Sequence, residues 1–167
     1  MSLLSRLEDS IPSLRRYAWT LLRDPAEADD LVQDCLVRAL DRLGTVRSEA
    51  ELRPWLFAIL HNLHVSRWRR QRRQRQVAVA DADADVAIPA SQPAGAEIRD
   101  VLRGIAALPE DQRQIVVLVA VEGLAYAEVA AILGIPVGTV MSRLSRARDR
   151  LRAFAEGHER PALRRVK

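Results

Sequence analysis

Apolar residues recur at helical spacing along most of the chain, and Gly, Pro and polar clusters divide them into successive segments. The first segment runs from Leu3 to Leu22, with Pro12 as a potential break. Asp24 follows it and can cap a second helix, which has Pro25 at its first position and reaches Leu40. The pattern predicts helices and no strands, so the expected fold class is all-α.

A change of composition in the middle of the chain predicts two separate helical blocks. Residues 44–53 are interpreted as a loop, and a third helix is predicted to begin near Pro54 and to end in a run of arginines. Residues 74–96 contain two prolines, many alanines and no apolar stripe, which is typical of a flexible linker. We therefore predict a first domain over 1–73, a linker over 74–96, a second domain over 97–157 and a basic tail over 158–167.

The most informative segment is LAYAEVAAILGIPVGTVMSRLSRARDRLR, where two apolar-periodic stretches meet at Gly134-Ile135-Pro136. Gly134 suits the left-handed end of one helix and Pro136 the first turn of the next. The second helix has a polar, basic face opposite its apolar stripe, made up of Thr139, Ser142, Ser145, Arg146 and Asp149, with Arg143 and Arg150 on the flank. This arrangement is typical of a DNA-binding helix-turn-helix. A helical hairpin with a solvated face is the alternative.

The positive net charge is compatible with a polyanionic partner but does not require one. The net charge is +4, and the 26 basic residues include a single lysine, Lys167. The single cysteine, Cys35, lies in an apolar-periodic segment, so we expect a buried thiol and no internal disulfide. The N-terminus has no signal-peptide pattern and no run of about 18 apolar residues occurs, so a cytoplasmic protein is expected.

The third helix ends in six arginines within nine residues, too many to be paired internally. They favour a polyanion partner, although a solvated helix end, where the helix dipole favours cations, would show the same pattern. Trp68 lies within this run and could either stack on an unpaired base or cover the core.

The second helix has an acidic face, which could bind a macromolecular partner or could be a solvated N-terminal turn. Catalytic and metal-site patterns are missing from the sequence. His61 and His64 have no further ligand at metal-binding spacing, and no phosphate-binding glycine loop or nucleophile motif occurs. We expect no enzyme, no cofactor, no metal and no small-molecule substrate.

These segments together resemble the bacterial extracytoplasmic-function (ECF) sigma factors of RNA polymerase, members of the sigma-70 family. DPAEADDLVQDCLVRAL is similar to the family's core-polymerase-binding helix, and PWLFAILHNLHVSRWRRQRR to its −10 recognition helix. LPEDQRQIVVLVAVEGLAYAEVAAILGIPVGTVMSRLSRARDRLR resembles its −35-binding domain. The resemblance implies an alternative sigma factor that directs core polymerase to promoter DNA and is held inactive by an anti-sigma factor.

The resemblance also implies roles for individual residues. Core-polymerase binding would involve Asp29, Asp30, Gln33 and Asp34. Residues 46–52 would hold a flipped −10 base, and −10 DNA would be contacted by Asn62, Arg67, Trp68, Arg69, Arg70, Arg72 and Arg73. The −35 major groove would be contacted by Thr139, Ser142, Arg143, Ser145 and Arg146. Met141 departs from the family pattern, since many members have Lys or Arg there.

Within the family, the opening SIPSLRRYAWTLLRDPAEADDLVQD and the helix PVGTVMSRLSRARDRL are most similar to the alphaproteobacterial general-stress sigma factors. Those have a small helical anti-sigma protein, which a response regulator with a sigma-like domain removes; a membrane-anchored anti-sigma factor is the other common arrangement. Two rival functions remain at this stage. One is a homodimeric helix-turn-helix transcriptional regulator, and the other is a sigma mimic that titrates an anti-sigma factor.

Overall fold

The computed structural model describes residues 2–75 and 95–157, and these ranges form helices and connecting turns without strands. The helices are α1 (Leu3–Leu22), α2 (Pro25–Arg42), α3 (Glu49–Arg75), α4 (Ala96–Ala106), α5 (Glu110–Val116), α6 (Tyr126–Leu133) and α7 (Val137–Ala155). A 3-10 turn, Leu43–Thr45, follows α2, and a π-helical turn, Val117–Val121, extends α5. The all-α prediction is confirmed. Most of the predicted linker and the basic tail lie outside the described residues.

Helices α1, α2 and α3 form the first domain. Each helix places one apolar stripe in a shared core, and the fully buried side chains include Leu14, Tyr17, Leu31, Leu56 and Phe57. Cys35 is buried in this core as predicted, and burial raises the pKa of its thiol to about 12. The predicted start of α2 is also confirmed, because the Asp24 carboxylate accepts a hydrogen bond from the Glu27 amide and Pro25 follows at the first position.

Two boundaries in the first domain differ from the sequence-based expectation. Helix α1 continues unbroken through Pro12. Helix α3 begins at Glu49 rather than near Pro54, so the expected loop is much shorter. Two acidic residues in the first turn complement the helix dipole, and Glu49 forms an ion pair of 2.7 Å with Arg6 of α1. These contacts stabilise the turn of α3 that precedes Pro54, where the sequence predicted a loop.

Helices α4 to α7 form the second domain, whose core contains Ile115, Leu118, Val129, Val140 and Leu144. The backbone between α6 and α7 turns at Gly134, which has a φ of +65° and donates its N–H to the carbonyl of Ala130. The axes of α6 and α7 are bent by 104° relative to each other. The predicted helix-turn-helix is therefore present in the second domain.

The two domains contact each other directly. The side of the first domain formed by α1 and α3 packs against α5, the π-helical turn and α6 of the second domain. Arg23, at the left-handed end of α1, donates a hydrogen bond of 2.6 Å to the carbonyl of Ala106 at the end of α4. No pattern in the sequence predicts this contact between the domains.

Candidate nucleic-acid interface

Helix α7 presents most of its predicted DNA-facing residues to solvent. Ser142, Ser145 and Arg146 are exposed, whereas Val140, Leu144 and Ala147 are buried against the domain core. The Ser142 hydroxyl donates to the carbonyl of Thr139, and the Arg146 side chain lies near the Ser142 carbonyl, with Nε at 3.4 Å. The guanidinium of Arg146 is thus held over the outer face of the helix, where a base edge could reach it.

Arg143 and Thr139 occupy the flanks of this face and are half-buried. Arg143 Nε lies 3.5 Å from Oδ2 of Asp111, at the start of α5. Met141 is 53 % exposed on the same helix. Arg143 is therefore already engaged by an acid of its own domain, which the sequence did not predict.

The C-terminal half of α3 carries the predicted −10 residues. Asn62 and four arginines of this half are exposed: Arg69, Arg70, Arg72 and Arg73. Trp68 is 51 % exposed, and the Arg72 guanidinium lies over its ring at 5.1 Å from the centroid. The indole therefore does not serve as core cover. It borders a cavity of about 330 Å³ between α1, α2, α3 and α5, which Arg67 and Asp30 also line.

The acidic residues of α2 are less isolated than the sequence suggested. Asp29 and Asp30 have no basic residue four positions on, so the sequence by itself predicts that their charges are uncompensated. That prediction is wrong for Asp29, and Asp34 is paired as well. Asp29 forms an ion pair of 3.1 Å with Arg15 of α1, and Asp34 pairs with Arg67 of α3. Asp29, Asp30, Gln33 and Asp34 are all exposed, so the face remains accessible.

A titratable cluster lies where α3 meets the second domain. Nδ1 of His61 is 3.1 Å from the Tyr17 hydroxyl, and Nε2 of His64 is 3.9 Å from Oε1 of Glu110. Burial, helped by the neighbouring His64 and opposed by Glu110, lowers the pKa of His61 to about 4. The interaction with His64 is the largest cause of a lowered pKa at Glu110. Burial also raises the pKa of Tyr17. His61 is therefore neutral at neutral pH.

The sequence-based reading missed Glu122, whose side chain has no exposed surface. Its carboxylate accepts hydrogen bonds from Arg16 and Arg53, both in the first domain. The available signal was a lone acid in the otherwise apolar run VVLVAVEGLAY, because a charge buried in such a run requires a partner.

Within residues 2–75 and 95–157, no three His, Cys, Asp or Glu side chains are grouped as a metal site would need. No single described helix has the length and apolar character to cross a membrane; only the bent pair α6 and α7 meets those criteria jointly.

Two family models match the chain, one in each domain. Residues 7–61 match the Sigma2 domain of PhyR, and residues 98–151 match Sigma-70, region 4. The chain is 40 % identical over 165 residues to the ECF RNA polymerase sigma factor EcfG of Rhodopseudomonas palustris, covering 95 % of this chain and 91 % of that protein. It is 35 % identical over 154 residues to the sigma factor SigC of Mycobacterium tuberculosis, covering 90 % and 83 %.

Among solved structures, the chain is similar to the sigma factor RpoE of Bartonella quintana in complex with the anti-sigma factor NepR. The TM-score is 0.80 at 34 % identity, over 91 % of this chain and 95 % of that chain. CnrH in complex with the cytosolic domain of CnrY gives a TM-score of 0.62 at 26 % identity, over 93 % and 88 %. Since each domain here is less than half of the chain, a score of 0.80 requires the two domains to superpose together.

Proposed function

The chain belongs to the ECF sigma factors of RNA polymerase, which direct the core enzyme to specific promoters, and we propose how its surfaces divide that work. Exposed acids on α2 bind core polymerase, the arginine-rich half of α3 contacts −10 DNA, and α7 reads the −35 element. The protein performs no chemistry of its own and acts in the cytoplasm, where the polymerase is.

The observation that carries this proposal is the outer face of α7. Ser142, Ser145 and Arg146 are exposed on one side of a helix whose opposite side is buried, in the second helix of a helix-turn-helix. That geometry suits entry into the major groove, where Arg contacts guanine O6 and N7 and serine hydroxyls contact several bases.

The proposal for the −10 surface rests on the positive charge at the end of α3 and on Trp68. The five arginines proposed to contact −10 DNA would neutralise phosphates of one strand, and a half-exposed indole offers a face on which an unpaired base can stack. The proposed base-holding segment 46–52 consists of the short connection before α3, residues 46–48, and the first turn of α3. Leu52 of that segment is buried and would anchor it.

We further infer that an anti-sigma factor inhibits the protein, in the manner of the general-stress subgroup. The inference rests on the match of residues 7–61 to the PhyR domain and on the likeness to EcfG and to a relative bound to NepR. A small helical inhibitor of the NepR kind is therefore favoured over a membrane-anchored one.

Run-off transcription tests the function directly. Core polymerase of the host would be mixed with a library of random promoter templates, with or without this protein, and the transcripts sequenced. Initiation from one enriched pair of −10 and −35 elements, only when the protein is present, is the expected result. A homodimeric regulator would instead bind a symmetric operator with high affinity and would give no protein-dependent transcripts.

A further inference from the structure

Glu122 joins the two domains through every oxygen atom it carries. Oε1 accepts from Arg16 Nε at 2.9 Å, and Oε2 accepts from Arg53 Nη2 at 2.6 Å and from Arg16 Nη2 at 3.2 Å. Its backbone carbonyl accepts from Arg53 Nη1 at 2.5 Å. All donors belong to the first domain, so this single residue of the second domain makes four charge-assisted contacts across the interface.

The position of Glu122 strengthens these contacts. It caps the C-terminus of the helical segment formed by α5 and its π-helical turn, directly after Val121, so its carbonyl lies at a helix C-terminus. A second helix C-terminus, the Ala106 carbonyl of α4, receives Arg23 from the first domain. Helix C-termini carry partial negative charge and favour cations. Two helix ends of the second domain therefore meet arginines of the first.

The chemistry of a buried, paired carboxylate favours either the closed arrangement or complete separation of the domains over a partial opening. In the closed arrangement the carboxylate is buried but fully paired, and after complete separation of the domains it would be hydrated. A partial opening would leave a buried charge without its partner, which is strongly unfavourable. Arg16 and Arg53 keep 52 % and 39 % of their side chains exposed, so the arginines stay partly hydrated in the closed arrangement, whereas the carboxylate does not.

The closed arrangement is too short for a promoter. The −10 and −35 elements lie about 25 base pairs apart, which is roughly 85 Å of duplex at about 3.4 Å per base pair. Two touching domains of about 60 to 75 residues span roughly 55 Å in total. The proposed DNA-facing surfaces of α3 and α7 therefore cannot reach both elements while the domains remain in contact.

We propose that Glu122 is a latch that holds the free protein closed and must be released when the two domains engage polymerase and promoter. This inference rests on the proposed function, because opening matters only if the domains bind separate elements. The anti-sigma-bound relative shares the arrangement of both domains, so the latch favours the form that an inhibitor binds. It thereby reduces the fraction of free protein that is ready for the polymerase.

The distance between the domains tests the latch without any polymerase. Spin labels on Arg38→Cys in α2 and Arg148→Cys in α7, both at exposed positions, would report the separation in the full chain by double electron–electron resonance. Cys35 is buried and would be replaced by Ala. Small-angle scattering of the unlabelled chain gives an independent radius of gyration.

Glu122→Gln, and separately Arg16→Gln with Arg53→Gln, should both open the molecule. The narrow distance distribution of the parent should broaden and lengthen, and the radius of gyration should rise by about a quarter from a compact value near 15 Å. Glu8→Gln, the same chemical change at an exposed site of α1, should leave both readouts unchanged. Circular dichroism would show that the helices remain. If Glu122→Gln does not fold, the double variant Arg16→Gln with Arg53→Gln still tests the latch.

Association with core polymerase provides the second readout. A larger open fraction should raise the apparent affinity of both latch variants for core by about 3- to 10-fold, since apparent affinity scales with the competent fraction. Unchanged distances in both variants, or opening without any gain in core affinity, would overturn the latch. Either result would leave sigma-dependent run-off transcription by the parent protein intact, which separates this proposal from the proposed function.

Discussion

Arg67 of α3 donates a hydrogen bond from Nη2 to the carboxylate of Asp34 on α2. One residue belongs to the proposed −10 surface and the other to the proposed polymerase surface, so the two surfaces share an ion pair. The side chains are 33 % and 56 % exposed, and solvent screening limits what such a pair contributes to stability. The pair therefore orients the Arg67 side chain toward the acidic face but contributes little to the stability of the domain.

Arg67→Gln should lower the free energy of unfolding by no more than about 1 kcal/mol, because the pair is largely solvated. It should also weaken binding to −10 DNA through loss of a phosphate contact. Arg70→Gln is the matched control, exposed on the same helix, and should weaken DNA binding without a stability change. Urea unfolding and fluorescence anisotropy with single-stranded −10 DNA measure the two effects. A stability loss well above 1 kcal/mol would mean that the pair is structural.

Reversing the charge of Asp30 and Asp34 together should reduce core-polymerase binding at least tenfold. The change also places a lysine opposite Arg67, so we expect a stability cost of about 1 kcal/mol rather than none. Asp41→Lys makes the same charge change on an exposed residue of α2 outside the proposed polymerase-binding face and should leave binding unchanged. A pull-down with core polymerase beside thermal unfolding separates the effects. Full binding by the folded double variant would contradict the assignment of α2.

Arg146→Ala should weaken −35 binding by about 1 to 3 kcal/mol and relax the preference at one base pair, if its guanidinium contacts a base. Arg143→Ala should weaken binding evenly across sequences and reduce the salt slope by up to about one. The reduction is limited because Asp111 already partly neutralises Arg143. Titration of both variants against a scanned −35 element distinguishes them. Base preferences that Arg146→Ala leaves unchanged would place α7 differently in the groove.

Acidification should destabilise the protein through His61. Its pKa is about 4 in the folded chain and about 6.5 when unfolded, so below pH 6.5 the unfolded state binds the proton and the folded state does not. Stability should therefore fall as the pH decreases from 6.5 to about 4. The lowered pKa of Glu110 adds a loss only below about pH 4.5. In urea unfolding measured at a series of pH values, His61→Gln should reduce the change in the free energy of unfolding with pH between 6.5 and about 4. An unchanged pH dependence would exclude His61 as its cause.

Gly134→Ala should lower the free energy of unfolding by about 1 kcal/mol, because the position has a φ of +65° that disfavours a side chain. The added Cβ would meet no atom within 4 Å, so backbone strain is the sole cause. Gly138→Ala is the control. It also has open space but lies in helix α7, where alanine should raise stability by about 0.5 to 1 kcal/mol. Thermal unfolding of both variants provides the comparison, and equal effects would contradict the strain argument.

Local sequence determined the helices and the helix-turn-helix. The spacing of Val137, Val140, Leu144 and Leu151, with Gly134 before it, predicted α7 and its buried face, because helical periodicity and turn geometry depend on residues close in sequence. Where a local rule competed with a contact between helices, the prediction was wrong. Pro54 suggested the start of α3, but Glu49 pairs with Arg6 of α1 and the helix begins five residues earlier.

Tertiary structure alone decided which charges meet. Arg67 reaches Asp34 from 33 residues away, and Arg16 reaches Glu122 from 106 residues away. No periodicity encodes such pairs, because they depend on how packed helices bring distant surfaces together. The sequence by itself determined the two helical domains and their candidate DNA and polymerase faces. The closed contact through Glu122 required the fold, since a buried carboxylate is stable only where folding supplies its arginines.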